Sequence, residues 1–177
     1  MIMKYVRQPH SDRMWSMLCY LFLGTVLFHS MHMIEHIVQE LQSDLWGVQD
    51  PHGIFGAVAD LQWVHFTYVF VVMVATVMVF WGCVAVKGHR WLYAKPGAYL
   101  NLWAAILLQG YHQVEHIVKA IQSAQTDFPL TQGLLGHTVG LGFLHHGLSL
   151  LVLVPLSAAF ISYGFHTEVA ALLLRRH

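Results

Sequence analysis

Two short segments hold most of the residues able to do chemistry: His32-Met33-Ile34-Glu35-His36 and His112-Gln113-Val114-Glu115-His116. On a helix, residues at i, i+3 and i+4 emerge on one face, so each segment presents two imidazoles and a carboxylate together. Two histidines at i and i+4 form a chelating pair, the spacing that the zincin helix uses. The carboxylate here stands at i+3, beside the second histidine, so the zincin motif itself is not present. His65 and His145 are related by the same shift of 80 residues that relates 32 to 112. The expected metal ligands are therefore His32, Glu35, His36, His65, His112, Glu115, His116 and His145. A donor set rich in imidazole and poor in carboxylate suits divalent transition ions, with iron or copper favoured and zinc admitted, and its size suits two ions.

The elements that must position these residues are membrane helices. Of 177 residues, 56% are apolar and only 10% are Asp, Glu, Lys or Arg, against about 25% charged in a soluble domain. The formal charge is zero, which leaves no basic field for nucleic acid. Cys19 and Cys83 lie in apolar runs and form no C-x-x-C pair, so neither a disulfide framework nor a thiolate metal site is indicated. Histidine is the outlier, with 14 against nine Lys and Arg. Four apolar stretches, about 15–41, 63–86, 98–121 and 139–163, are long enough to cross a bilayer, which takes roughly 20 residues as a helix. Trp15, Trp63, Trp81, Trp91 and Tyr163 stand near their ends, where aromatic belts are expected. Turn residues fall between them at Asp50-Pro51-His52-Gly53, Lys95-Pro96-Gly97 and Phe128-Pro129. The first stretch has the basic start of a signal peptide but no small-x-small cleavage site, so it is read as a retained span.

Basic residues set the orientation. Lys4, Arg7 and Arg13 precede the first span, Lys87, Arg90 and Lys95 fill the second connection, and Arg175 and Arg176 end the sequence. The first and third connections carry Asp44, Asp50, Asp60 and Asp127. The positive-inside rule places both termini in the cytoplasm of a plasma or bacterial inner membrane and the histidine segments near the extracytoplasmic side.

The pattern also predicts an internal duplication. With the shift of 80, Gln42 and Ser43 fall on Gln122 and Ser123, Gly53 and Gly56 on Gly133 and Gly136, and Leu61 on Leu141, with no gap through the connecting segment. Residues about 14–86 and about 94–166 form the two repeats, each with two spans entering in the same direction. The expected fold is all-α and integral to the membrane: one domain over 1–177, a four-transmembrane-helix bundle of two tandem helical hairpins. The hairpins are related by a pseudo-twofold axis along the membrane normal. The antiparallel hairpins bring His65 to the depth of His32 and His36, and His145 to that of His112 and His116.

An ionised carboxylate within a span costs about 2.5–3.5 kcal/mol, so Glu35 and Glu115 are expected to face the interior and neutralise something. In the first functional reading they are the catalytic carboxylates, bridging ions or accepting protons at an oxygen-activating or other redox centre. Gln42 and Gln122 would then donate to the ligands from behind. A second reading is electron transfer through haem b held by two axial imidazoles. A third is a non-catalytic structural or metal-handling subunit of a larger membrane complex. The bland alternative is a polar network that locks the hairpins together. The expected partners are the lipid bilayer and other membrane subunits or a second copy of the chain. His29 and His146 have no histidine counterpart in the other repeat, and His52 and His137 belong to connections.

Overall fold

Long runs of apolar residues uninterrupted by turn chemistry fold as long helices. The computed structural model describes residues 9–49, 53–54, 62–126, 133–134 and 141–174. Within them lie α1 (Pro9–Asp44), α2 (Gln62–Lys87), α3 (His89–Tyr93), α4 (Pro96–Thr126), α5 (Leu141–Ser162) and α6 (Phe165–Leu174), and there is no strand among the described residues. Pro96 opens α4, where its fixed φ suits the first helical position and its missing N–H is not required. Pro155 lies inside α5. The first three expected spans fall inside α1, α2 and α4, and the fourth overlaps α5.

Two of these helices, over Asp12–Asp44 and His65–Lys87, are long and apolar enough to cross a membrane. The part of α5 from Gly147 reaches that standard together with α6, across a 62° bend. The described residues therefore give two candidate spans, or three with the bent pair, where the sequence predicts four. The physical reason is α4. It has 31 residues, but Asn101, Gln109, His112, Gln113, Glu115, His116 and Lys119 dilute its apolar character.

The apolar core and the polar set occupy different ends. Near the start of α1, Trp15 meets the ring of Trp91 edge-on at 5.4 Å, and Phe22 packs T-shaped on Phe160 and Phe165 at 5.2 and 4.9 Å. Such aromatic pairs add about 0.5–1.5 kcal/mol each beyond the area they bury. The Lys87 ammonium sits 4.3 Å from the Trp15 ring centroid. Lys95 Nζ donates to Ser162 O at 2.9 Å, and Tyr163 Oη donates to Leu92 O at 3.0 Å, which ties the short α3 segment to the end of α5.

The other end is lined by buried polar residues: His29, His32, Glu35 and His36 from α1, Gln109, His112, Gln113, Glu115 and His116 from α4, and Ser149 from α5. The outward faces are apolar, with Leu27, Met31, Ile34 and Ile37 exposed on α1 and Phe70, Val74 and Met78 on α2. α1 packs against α2, α5 and α6, while α4 packs against α2 and α5. Among the polar links between these helices, two occupy matched positions. His29 Nε2 lies 3.0 Å from Ser149 O, joining α1 to α5, and Gln109 Nε2 donates to Val69 O at 2.8 Å, joining α4 to α2. Residues 29 and 109 differ by the same shift as 69 and 149, so the two links occupy corresponding positions.

Candidate metal centre

Helical periodicity builds the first half of the site. On α1, His32 and His36 are one turn apart, with ring centroids separated by 4.2 Å and Nε2 atoms by 2.9 Å. The first turns of α2 bring His65 alongside, its Nε2 3.5 Å from His36 Nε2. One ring nitrogen from each of His32, His36 and His65 lies within 4.8 Å of the others. Bond lengths say what such spacing permits. Two imidazole nitrogens bound at 2.0–2.1 Å to one ion stand about 2.9 Å apart at a right angle and about 3.4 Å apart at the tetrahedral angle. The His36–His32 separation of 2.9 Å falls in that range and the His36–His65 separation of 3.5 Å lies just beyond it, so the three histidines can hold a metal ion.

Their orientation is fixed from behind. His36 Nδ1 donates to Gln39 Oε1 at 3.1 Å, which leaves the ring lone pair on Nε2, the atom facing His32 and His65. Tyr68 stacks on the His32 ring at 4.3 Å and on Phe28 at 4.3 Å, while its hydroxyl donates to Phe28 O. Gln39 and Tyr68 are absent from the sequence expectation. The i+3 spacing from His36 was a signal for Gln39, whereas nothing in the sequence marks Tyr68.

The second half repeats part of this arrangement. His112 and His116 Nε2 atoms are 3.2 Å apart on α4. His65 also stacks on His116, with centroids 5.7 Å apart and planes inclined by 22°, so it touches the histidine sets of both α1 and α4. Five of the six expected histidine ligands thus converge. The side chain of His145 lies outside the described residues, as do those of His146 and His137.

The carboxylates engage the turns that follow each helix. Glu35 Oε2 accepts the Ile54 N–H at 2.9 Å, and Glu115 Oε2 accepts the Leu134 N–H at 2.8 Å. Tyr111 Oη also donates to Glu115 Oε1 at 2.6 Å. Beside each carboxylate a glutamine clasps the preceding glycine through both ends of its amide. Gly53 N donates to Gln42 Oε1 at 2.7 Å and Gln42 Nε2 returns to Gly53 O at 3.1 Å. Gly133 N donates to Gln122 Oε1 at 3.0 Å and Gln122 Nε2 to Gly133 O at 3.3 Å. Both glycines have φ of 70°, the left-handed region, and a Cβ on either would overlap the neighbouring glutamate carboxylate. Gln42 and Gln122 thus hold turn backbone through both ends of their amides.

Protein-family models, curated proteins and solved structures include none that matches this chain. The site must be interpreted from its own chemistry. Three imidazoles converging at ligand spacing, one of them with its tautomer set by a hydrogen bond, can bind an ion.

Proposed function

We propose that the chain is a polytopic membrane metalloprotein with a divalent transition-metal centre near the extracytoplasmic side. His32, His36 and His65 are its ligands, and His112, His116 and His145 form a second set for a second ion. The observation that carries this reading is the His36 nitrogen, 2.9 and 3.5 Å from its two partners. Imidazole nitrogens this close suit one small ion between them.

Around this centre we read a four-helix bundle of tandem hairpins, residues 14–86 and 94–166, related by a pseudo-twofold axis along the membrane normal. The cyclic packing of α1, α2, α4 and α5 supports it, as do the paired links from residues 29 and 109 and the paired turn clasps. Both termini are assigned to the cytoplasm, and the apolar outward faces to lipid and to other membrane subunits or a second copy. Glu35 and Glu115 act in this proposal by holding the turns against the helices that carry the histidines. His32, His36 and His65 would hold the ion, and iron or copper held there would supply oxygen-activating or other redox chemistry.

Elemental analysis of the detergent-purified protein, before and after saturation with added metal, tests the proposal. About two iron, copper or zinc ions per chain are expected at saturation. His36→Ala and His116→Ala each lower the total, and the double variant abolishes it. Full occupancy in the double variant overturns the assignment.

A further inference from the structure

The two histidine sets differ at one position that the shift of 80 places in register. Four residues after each glutamate, α1 carries Gln39 and α4 carries Lys119. Their placement is alike: a Cβ on Gly53 would meet Glu35 Oε1 and, at 3.1 Å, Gln39 Cγ, while a Cβ on Gly133 would meet Glu115 Oε2 and, at 3.2 Å, Lys119 Cε. What the two side chains do is different. Gln39 Oε1 takes the proton side of His36 and turns its lone pair toward His32 and His65. Lys119 is half-buried, shares the approach to Gly133 with Glu115, and stands three residues after His116 on the same face of α4. It stands alone among Lys and Arg between Lys95 and Arg175. A positive charge one turn from His116 opposes a divalent cation, and the opposition strengthens where the dielectric is low.

Resting on the metal-centre reading above, we infer that the two sets are unequal sites, with the Gln39/Lys119 position as the determinant. His32, His36 and His65 form the tight site. Lys119 supplies one of the positive charges that a second ion would bring to the His112 and His116 set, and so holds that set as a weak site. Altering residues behind metal ligands changes affinity by about 10–100-fold, which sets the expected gap between the sites.

The test is a zinc titration of the metal-stripped full chain in detergent, read by competition with a chromophoric chelator. Wild type should bind one ion tightly and a second at least about tenfold more weakly. His36→Gln should remove the tight ion and His116→Gln the weak one. Lys119→Gln should strengthen the weak site by about tenfold or more and leave the tight site unchanged. Gln39→Lys should weaken the tight site by a similar factor, which keeps the test decisive if one variant does not fold. Two equal sites in wild type, or a tight ion that follows His116, overturn this inference and leave the metal centre standing. Binding of no ion by the wild type overturns the metal centre itself.

Discussion

Gly53→Ala tests the clasp that holds the first turn, and its effect follows from two features. At φ of 70° an added Cβ costs about 1–2 kcal/mol in the backbone alone. The same Cβ would overlap the Glu35 carboxylate, so Glu35 must withdraw and release the Ile54 N–H it accepts at 2.9 Å. A hydrogen bond to a charged group contributes about 1.5–3 kcal/mol. Destabilisation of about 2.5–5 kcal/mol is therefore expected. Unfolding in mixed micelles with increasing sodium dodecyl sulfate, followed by helical circular dichroism, measures it. Gly24→Ala is the control: its Cβ would meet nothing within 4 Å, and it lies in mid-helix, so it should be neutral or stabilise by up to about 1 kcal/mol. In a Glu35→Ala background the overlap is gone, and Gly53→Ala should fall to its backbone cost. A Gly53→Ala protein as stable as the Gly24→Ala control would refute the clasp.

Two further outcomes follow from the same geometry. Because protons compete with the ion for imidazole, bound metal should fall as the pH is lowered; equilibrium dialysis across an acid titration that ends well below the ordinary histidine range near about 6.5 checks it, and metal retained at the acid end would contradict histidine ligation. Gln109→Leu and His29→Leu each remove one interhelical bond and should each destabilise by about 0.6–1.7 kcal/mol. In the double variant the two effects should add, since the bonds join different helix pairs.

Much of the fold was legible because unbroken apolar runs leave a membrane helix little alternative. The ends of α1, α2 and α4 lie within a few residues of the expected spans. His32 and His36 were legible for a similar reason, since helical periodicity alone sets their one-turn spacing. Their meeting with His65 required only that α1 and α2 form an antiparallel pair. The role of Glu35 was not legible. Its acceptor bond runs to Ile54, nineteen residues away, and depends on a left-handed glycine folding the turn back on the helix. The sequence showed that Gly53 and Gly133 match, and so do Glu35 and Glu115, but not that each glycine's missing Cβ makes room for the glutamate. Tyr68 was hidden likewise, because stacking on His32 depends on how two helices are rotated about their axes.

The remaining tension is between two uses of Glu35: ligand or proton acceptor at the metal, as its place between His32 and His36 predicts, and anchor for the turn, as its bond to Ile54 indicates. Glu35→Gln separates them. The amide oxygen can still accept the Ile54 N–H, so an anchor loses only the difference between a charged and a neutral hydrogen bond, about 1 kcal/mol. Metal content would then stay at the wild-type value and the turn would remain clasped. A ligand or charge-balancing carboxylate behaves otherwise, because a neutral amide is a poor substitute next to a divalent ion. Loss of a bound ion in Glu35→Gln, with stability within about 1 kcal/mol of wild type, would place the carboxylate at the metal and reduce the Ile54 bond to a secondary role. Retention of both the ion and the fold assigns Glu35 to the turn. The histidines would then be the whole of the metal-binding chemistry on α1.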